Sequence, residues 1–446
     1  MNIINLHDKN LFYIGGIVRD KILGKKSFDI DITYVGNAIE FAKTIPNAEI
    51  LQINEPFGTV RIKLNGEEID IASTRCETYP QKGHLPVVGN IGCSLKDDVL
   101  RRDFTINALA KSTLSGEIID YTSGLEDIKK KTLRVLHDNS FIDDPTRIVR
   151  GLKFSVRFGF EFDNHTQKLQ DEYLENINYD MSYKRLKKEL IETFNLNSQK
   201  AFEIFIKQKI YKLIAPQEFE LPKVNLEEII KTHKPKNIWI IYVGLLPDIS
   251  TLPLTKQEKK IVEDYIKLQG LSFNSDYQIY KNFENVNTES IIMFYTKNPQ
   301  VVEHYLKNLK QIKLEITGKD IQSLGFSPSA EYQKCFDFIL EEKIKNEDSE
   351  QITQWIQTSY GKDFPYKVYK VFNTKKESLY LIEVDRSYHK EYDFLFVKGE
   401  NYVFYQINNS FIPIMYVLKS FFKRNNETLL KSIECLSLAW LYYHAN

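Results

Sequence analysis

The sequence has few cysteines and histidines and lacks the spacings in which they build disulfide-rich or zinc-binding proteins. It has only four cysteines in 446 residues, at positions 76, 93, 335 and 435, and no Cys-x-x-Cys pair. Its eight histidines form no His-Glu-x-x-His motif. These absences argue against a disulfide framework and against zinc hydrolase chemistry, and we expect a chain whose cysteines are reduced.

Neither a charge of one sign nor a long apolar run dominates the chain. Lys plus Arg and Asp plus Glu each number 60, so the formal net charge is zero. A uniformly basic nucleic-acid coat is thereby excluded, and any nucleic-acid site has to be a local patch. No apolar stretch approaches the roughly 20 residues of a membrane span, and the N-terminus lacks a secretory pattern. We expect a cytoplasmic protein without a membrane partner, and the sequence leaves its oligomeric state open.

The hydrophobic pattern changes along the chain and predicts an α+β protein of four regions. Residues 1–125 alternate short apolar runs with turn signals, which predicts a head with a small mixed sheet; a hairpin is expected around Asn65-Gly66, and a helix then a strand over 104–122. Residues 126–200 and 201–345 have helical periodicity and are predicted to form a neck and a body. Residues 346–446 predict a tail of strands around Lys398-Gly399, with a final helical stretch from about 412.

A constellation of glycines and carboxylates in the head points to phosphate chemistry. Gly15-Gly16 follows a predicted strand, where adjacent glycines let backbone N–H groups approach a phosphate closely. Asp29 and Asp31 are two residues apart in the next strand, so their side chains project from the same face. Asp70 is a candidate third carboxylate on a neighbouring strand. Carboxylate oxygens beside a triphosphate suit Mg²⁺, and this combination predicts a two-metal nucleotidyl-transfer site.

Three longer segments carry a family resemblance. They are GGIVRDKILGKKSFDIDI (15–32), LRRDFTINALA (100–110) and DDPTRIVRGLKFSVRFGF (143–160). Together they resemble the class II tRNA nucleotidyltransferases, the CCA-adding enzymes and bacterial poly(A) polymerases of the DNA polymerase β superfamily. The resemblance covers residues 11–190, continues weakly through 318–336 and does not reach 350–446. It implies a polymerase-β-type head with a helical neck and body, and transfer of CMP and AMP from CTP and ATP to the 3′ end of tRNA with Mg²⁺.

The resemblance also implies a role for each residue that matches a family motif. Asp29 and Asp31 would ligate the metal, with Asp70 as the third catalytic acid. The residues that would hold the ribose and triphosphate of the nucleotide are Gly15, Gly16, Arg19, Asp20, Arg101, Arg102, Asp103 and Asn107. The residues that would select the base are Asp143, Asp144 and Arg147. Arg150 is a further candidate for the nucleotide cleft.

The base-selecting pair can be argued from its chemistry. Asp144 and Arg147 are three residues apart, so on one helix they are neighbours. A carboxylate accepts from the exocyclic amine of C or A, and a guanidinium donates to the ring acceptors of either base. U and G present the opposite polarity at the amine position and leave buried polar groups unpaired. Two fixed side chains are therefore sufficient to choose CTP and ATP without a nucleic-acid template.

The chain departs from the family pattern in a basic segment after the neck. MSYKRLKKEL (181–190) keeps Ser182 and Arg185 but has Lys184 where a glutamate is typical of the family. The run Lys184, Arg185, Lys187 and Lys188 is a candidate contact for RNA phosphate. A solvated helix face is the ordinary alternative for such a run.

The sequence disfavours some reaction products of the family but does not decide between complete CCA addition and A addition alone. The segment 77–92 corresponds to a loop that helps the family switch from C to A addition, and its full length disfavours a CC-only enzyme. The Gly-Arg/Lys-Arg/Lys-Phe-x-Leu signature of the poly(A) polymerases is absent. Complete CCA addition is the main hypothesis, and an A-adding specialist is the alternative. A non-catalytic RNA-binding protein of this fold is disfavoured by the intact aspartates.

Overall fold

The structure is a computed structural model of the chain. It describes residues 6–26, 30–177 and 181–312, residues 340 and 344, and the backbone of four strands between 366 and 408. The chain divides into two compact units, Met1–Ile266 with Asn287–Thr296, and Lys267–Val286 with Lys297–Asn446. The expected α+β class is confirmed, whereas the boundaries proposed at 125, 200 and 345 stay predictions.

The first part of the chain forms a mixed sheet. Its strands are β1 (Leu11–Ile14), β2 (Asp31–Tyr34), β3 (Glu49–Asn54), β4 (Thr59–Leu64), β5 (Glu67–Ser73), β6 (Arg75–Thr78), β7 (Val87–Ile91), β8 (Leu109–Ser112) and β9 (Ile118–Asp120). Seven of them make one sheet in the order β3-β4-β5-β2-β1-β8-β9, and β6 pairs with β7 in a separate ribbon. Only β2 and β5 run parallel within the large sheet.

Alternating apolar residues explain why this sheet is stable. In β4 and β5 every second residue is buried, including Ile62, Ile69 and Ile71. The helix α2 (Ala38–Lys43), which follows α1 (Gly16–Ile22), covers this face with Ala38 and Ala42. Burying each such aliphatic side chain contributes about 1.5–3 kcal/mol. The polar residues between them, Asp70 among them, therefore project from the opposite face.

Two local predictions in the head have different outcomes. The hairpin around Asn65-Gly66 is confirmed, since both residues have positive φ (53° and 86°), as a type I′ turn between twisted strands requires. The helix expected within 104–110 is wrong. Thr105–Asn107 forms a single 3₁₀ turn and Leu109 begins β8, because Leu109 and Ala110 complete the sheet between β1 and β9.

Helices dominate from residue 124 to residue 304. After α3 (Leu95–Leu100) they are α4 (Gly124–Lys130), α5 (Ser140–Asp143), α6 (Thr146–Phe158), α7 (Asn164–Glu175), α8 (Tyr183–Phe194), α9 (Ser198–Lys207), α10 (Glu227–His233), α11 (Ile238–Val243), α12 (Lys256–Gln269), α13 (Asp276–Phe283), α14 (Thr288–Tyr295) and α15 (Pro299–His304). Short 3₁₀ turns cover Glu55–Phe57 and Ile210–Leu213, and a π-helical segment covers Tyr305–Leu309. A parallel pair, β10 (Thr132–Leu133) and β11 (Glu161–Phe162), flanks α5 and α6.

The helix α6 fixes the head against the neck. Its buried residues include Val149, Leu152 and Phe154, and Phe154 meets Phe104 of the head edge-on at a ring-centroid distance of 5.9 Å. Gly151 permits a close approach of α6 to two rings, since a Cβ there would lie 2.4 Å from the ring of Phe162 and 3.2 Å from that of Phe104. Aromatic pairs of this geometry stabilise by about 0.5–1.5 kcal/mol beyond their burial. One face of α6 is therefore held at a fixed position beside the sheet.

The expectation of reduced cysteines is contradicted for one pair. Cys76 and Cys93 form a disulfide with a Cα–Cα distance of 6.2 Å. Cys76 lies in β6 and Cys93 two residues after β7, and the pairing of these two strands brings the two segments side by side. The sequence carries no signal for this, because the pairing depends on a strand register across 17 residues.

The tail contains a four-stranded antiparallel sheet in chain order. Its strands are β12 (Tyr366–Asn373), β13 (Ser378–Val384), β14 (Tyr392–Lys398) and β15 (Tyr402–Asn408). The strands expected on both sides of Lys398-Gly399 are confirmed, and β12 is an additional strand. Gly399, the helical stretch expected from 412 and the weak family match at 318–336 lie outside the described residues. Within the described part of the chain, no helix has the length and apolarity needed to cross a membrane.

Candidate active site

A cleft of about 450 Å³ opens between the head sheet and helices α6 and α8. Its walls carry nine cations against five carboxylates, a formal excess of four positive charges. The cations are Arg19, Arg75, Arg101, Arg102, Arg147, Arg150, Lys153, Arg157 and Arg185, and the carboxylates are Asp31, Glu77, Asp103, Asp144 and Glu189. This local excess on a chain of zero net charge suits a polyanion such as a triphosphate.

Most of the candidate residues meet in this cleft. Those that line it are Gly15, Gly16, Arg19, Asp31, Arg101, Arg102, Asp103, Asn107, Asp144, Arg147, Arg150 and Arg185. Candidates absent from its lining are Asp20, Asp70, Asp143, Lys184, Lys187 and Lys188. Asp29 lies outside the described residues. The cleft thus unites parts of all three matching segments, which are far apart in the sequence.

The turn between β1 and α1 places backbone against an arginine of the cleft. Gly15 has φ of 71°, and a Cβ built there would lie 2.9 Å from Nη1 of Arg102. The Nε of Arg102 is buried and has no hydrogen-bond partner among the described residues, while its Nη2 donates to Asp98 at 3.2 Å. A buried guanidinium donor of this kind is satisfied by an anionic oxygen. Gly15 and Arg102 together therefore form a pocket that fits phosphate.

Gly15→Ala is expected to raise the KM for the nucleotide about tenfold or more, because the added methyl displaces the Arg102 guanidinium, and a lost charged hydrogen bond is worth about 1.5–3 kcal/mol. The matched control is Gly66→Ala, where φ is also positive but nothing lies within 4 Å of the added Cβ. Both variants carry similar backbone strain of about 1 kcal/mol. Equal KM values for the two variants, measured by steady-state incorporation, would contradict the assignment.

Two of the three candidate catalytic carboxylates are neighbours on parallel strands. Asp31 of β2 is the register partner of Asp70 of β5, so both side chains project from the same face. Asp31 is exposed and lines the cleft. Asp70 accepts two hydrogen bonds from Arg61, at 2.8 and 2.9 Å, and its side chain is 47% exposed. Asp31 is therefore the carboxylate best placed to face a ligand.

The donor set is suited to a hard cation. Among the described residues no group of three or more His, Cys, Asp or Glu side chains is arranged to hold a metal ion. Asp31 and Asp70 supply oxygen donors only, and Asp29, expected on the same face as Asp31, would be the third. Oxygen donors without nitrogen or sulfur fit Mg²⁺ rather than a transition metal. The carboxylates at this edge of β2 therefore fit Mg²⁺ by the chemistry of their donor atoms.

Asp103 is a buried carboxylate of the cleft, only 7% exposed. It accepts from Arg150 Nε at 2.7 Å and from Asn107 Nδ2 at 2.9 Å, and Asn107 in turn accepts from Arg19. Burial alone would raise the pKa of Asp103, but the charge of Arg150 and these hydrogen bonds outweigh it and hold that pKa well below 3.8. Burial alone would likewise lower the pKa of Arg150, but Asp103 and Glu189 outweigh it and raise that pKa above its ordinary value. Both groups are therefore charged at neutral pH.

Asp103→Asn is expected to lower the free energy of unfolding by about 3 kcal/mol at pH 7, because it breaks a buried ion pair. The folded pKa is depressed, so the stabilisation by Asp103 is present above its unfolded pKa of 3.8 and is lost as the pH falls through the folded value. The difference from the unsubstituted protein should therefore shrink below about pH 4. Urea unfolding between pH 3 and 7 measures this, with exposed Glu172→Gln as control; a pH-independent difference would contradict it.

The base-selecting pair is fixed, though not on one helix as expected. Asp144 precedes α6, and its Oδ1 accepts from the backbone N and the hydroxyl of Thr146 at the start of the helix. Pro145 follows Asp144, and the residue before a proline is driven out of helical conformation. Asp144 Oδ2 accepts from Arg185 Nη2 at 2.5 Å. The carboxylate is thus only 5% exposed and held from two sides.

Arg147, in the first turn of α6, is also held by several partners. Its Nη1 donates to the Ser140 hydroxyl at 2.7 Å, and its Nη2 donates to the Arg101 carbonyl at 2.9 Å and to the Tyr79 hydroxyl at 3.2 Å. Arg147 is 4% exposed. A guanidinium with this many fixed contacts presents its remaining donors in one direction.

The β6–β7 ribbon contributes site residues that the sequence analysis missed. Glu77 accepts from Arg75 Nε at 2.7 Å and from Arg101 Nη1 at 3.0 Å, and its side chain is 3% exposed. Tyr79, two residues on, contacts Arg147. The available signal was the position of both residues in the segment that links the catalytic strand to Arg101. Lys153, Phe154 and Glu189 were also missed; Glu189 accepts from Lys153 at 2.6 Å and from Arg150 at 3.2 Å.

Two candidates outside the cleft lining have structural partners instead. Asp20 is 2% exposed and accepts from Arg19 (2.7 Å) and Arg157 (2.9 Å), so it orients Arg19 from behind. Asp143 ends α5, and its backbone carbonyl accepts from Gly83 at 3.1 Å.

The basic run at 184–188 divides over different faces of α8. Lys187 is 12% exposed and pairs with Glu258 at 2.6 Å, so it packs the neck rather than facing RNA. Arg185 points into the cleft. Lys184 and Lys188 are exposed, and they alone keep the expected orientation toward solvent.

Comparisons with known proteins find similar nucleotidyltransferases. Residues 11–134 match the family model of the poly A polymerase head domain. The chain is 29% identical over 348 residues to an A-adding tRNA nucleotidyltransferase of Aquifex aeolicus, an alignment that covers 68% of this chain and 41% of that protein. This chain thus spans less than half the length of that relative. It is also 29% identical to the A-adding tRNA nucleotidyltransferase of Halalkalibacterium halodurans, over 73% of this chain and 82% of that one.

The structural comparison extends beyond the head. The CCA-adding enzyme of Thermotoga maritima complexed with tRNA-CCA superposes with a TM-score of 0.61 at 26% identity, covering 78% of this chain and 91% of that chain. The head, its positive cleft and the helices behind it are thus those of a nucleotidyltransferase with a poly A polymerase head domain. Within that class the chain is similar to the class II tRNA nucleotidyltransferases.

Proposed function

We propose that this protein adds CMP and AMP from CTP and ATP to the 3′ end of tRNA, and so completes or repairs the CCA sequence. The observation that carries the proposal is the positive cleft in which Asp144 and Arg147, both almost fully buried, are fixed beside Arg101 and Arg102. Relatives named as A-adding and CCA-adding enzymes support it. We place this activity in the cytoplasm, where tRNA is used.

The proposed reaction is an in-line displacement at phosphorus. The tRNA 3′-hydroxyl oxygen forms a bond to the α-phosphate, the bond from that phosphorus to pyrophosphate breaks, and the hydroxyl proton is lost. Asp31, with Asp70 and Asp29, would hold Mg²⁺, which when bound lowers the pKa of the attacking hydroxyl and stabilises the leaving oxygens. Arg102 and the backbone at Gly15 would bind the triphosphate, and Asp103 and Asn107 would face the ribose.

Base choice would depend on Asp144 and Arg147. Asp144 is charge-neutralised by Arg185, so it can accept from the amine of C or A without leaving an unpaired buried charge. Arg147 is held by Ser140, Tyr79 and the Arg101 carbonyl, so its direction is set before the nucleotide arrives. Preorganised donors and acceptors of this kind discriminate strongly, because a wrong base leaves them unpaired.

The test uses purified full-length protein with Mg²⁺ and three tRNA transcripts, which end at the discriminator base, at C and at CC. Each transcript receives CTP, ATP or both, and product lengths are read on a sequencing gel. Three additions that stop at CCA are expected. A single A added only to the CC-ended transcript would make the protein an A-adding specialist, and long A ladders would make it a poly(A) polymerase. Absence of any incorporation would overturn the proposal in favour of a non-catalytic RNA-binding protein.

A further inference from the structure

The β6–β7 ribbon is held by hydrogen bonds at its base and contacts the cleft arginines in its middle. At its base, Gly92 N donates to Thr74 O at 2.6 Å, and the Thr74 hydroxyl donates to the Cys93 carbonyl at 2.7 Å. In its middle, Glu77 and Tyr79 contact Arg101 and Arg147. The ribbon therefore helps to hold two arginines that line the cleft.

The tip of the ribbon contacts the neck. Gly83 N donates to the Asp143 carbonyl, and Gly83 O accepts from Ser182 N at 3.0 Å. A conformational change at the base of the ribbon is thus coupled to Arg147 and to the residues that precede Asp144 and Arg185 in the sequence.

The ribbon is a short element whose two strands are joined covalently by the disulfide at its base. It is a two-stranded sheet with an irregularity between Arg75 and Glu77, at Cys76, and isolated ribbons of two strands are only marginally stable. The bond between Cys76 and Cys93 closes its base, and both residues are half-buried, so a small thiol can reach them. Opening the bond removes the one covalent constraint on this pairing that the described residues contain.

We propose that Cys76–Cys93 is a reversible dithiol–disulfide site that controls the rate of A addition, the step that follows C addition. The co-reactant is a dithiol. Its thiolate attacks one sulfur of the Cys76–Cys93 bond and forms a mixed disulfide, and its second thiol releases a disulfide product and leaves two cysteine thiols. Two electrons and two protons pass from the dithiol to the protein.

The inference rests on the proposed function, because it concerns the change from C to A addition. Asp144 and Arg147 have to accept a pyrimidine and then a purine, whose second ring occupies additional space. Two partners of Arg147 lie beside helices, since Ser140 is in α5 and Arg101 directly follows α3. The third partner, Tyr79, lies only three residues from Cys76 of the disulfide. The closed disulfide restrains the movement of Tyr79 and Glu77, so oxidation should slow A addition more than C addition.

The pair is tested first without any activity measurement. Full-length protein is incubated with glutathione disulfide, or separately with dithiothreitol, and is then alkylated with N-ethylmaleimide and digested with trypsin. Cleavage after Arg75, Lys82 and Lys96 gives peptides 76–82 and 83–96. The oxidised sample should contain these two peptides linked, and the reduced sample should contain them separately alkylated. Alkylation of both peptides in both samples would overturn the inference.

The second measurement compares single additions by the oxidised and reduced protein. Reduction is expected to speed A addition to a CC-ended transcript about fivefold to tenfold, typical of the coupling between two sites, and to change the first C addition less than twofold. Cys76→Ser/Cys93→Ser should add A at the reduced rate under both conditions, and Cys335→Ser/Cys435→Ser should keep the response. Equal A-addition rates in both states, with the linked peptide present, would overturn this inference alone. Absence of C and A addition in both states would instead overturn the proposed function.

Discussion

Asp31→Asn is expected to lower the rate of nucleotide incorporation about a thousandfold or more while the protein stays folded. Asparagine keeps the shape of the side chain but removes the charge that would bind Mg²⁺. A metal ion contributes several kcal/mol to the transition state of such a displacement, and each 1.36 kcal/mol is a factor of ten in rate. Asp31 is exposed at the edge of the cleft and is not part of the apolar core, so its replacement should cost little stability.

The measurement is single-turnover incorporation of CMP on a transcript that ends at the discriminator base. Glu67→Gln is the matched control, because Glu67 is an exposed carboxylate on β5, the strand that also carries Asp70. The control should retain its rate. Titration with Mg²⁺ separates weak metal binding from misfolding, since an enzyme with an impaired metal site recovers partly at high Mg²⁺. A rate within tenfold of the unsubstituted protein would contradict the role of Asp31.

The proximity of the carboxylates was open to prediction because it depends on local rules. A period of two places alternate residues on one face, and the Asn65-Gly66 turn fixes the register of β4 with β5. The same alternation that buries Ile69 and Ile71 exposes Asp70 on the other face. The glycine turn before α1 and the candidate arginines at 101 and 102 followed from motifs, which are contiguous in the sequence.

The contacts that complete the cleft were beyond prediction because they join distant segments. Glu77 contacts Arg101, and Tyr79 contacts Arg147, only in the folded structure, where the ribbon lies beside these two arginines. The failed helix at 104–110 has the same origin: Ala and Leu favour a helix locally, but pairing with β1 gives Leu109 and Ala110 a buried place in the sheet. The displacement of Asp144 from α6 was detectable, since Pro145 follows it.

Asp144→Asn is expected to reduce discrimination between the proposed substrates and the other nucleotides by about 10–100-fold, because an unpaired buried polar group costs about 1–3 kcal/mol. The amide of asparagine contains a donor as well as an acceptor. Its NH₂ group can pair with the O4 of U or the O6 of G, where the carboxylate finds only another acceptor. UTP and GTP should therefore become substrates, while CTP and ATP lose part of their advantage.

The comparison is made within one variant, as the ratio of kcat/KM for CTP to that for UTP on the same transcript. Loss of the pair with Arg185 will also destabilise the fold, but a smaller folded fraction lowers both rates equally and leaves their ratio unchanged. Asp138→Asn is the matched control, since Asp138 lies six residues earlier, is 78% exposed and pairs only with His165 among the described residues. Its ratio should equal that of the unsubstituted protein. A uniform fall in all rates for Asp144→Asn, with the ratio unchanged, would make Asp144 a support for Arg185 and leave Arg147 as the residue that reads the base.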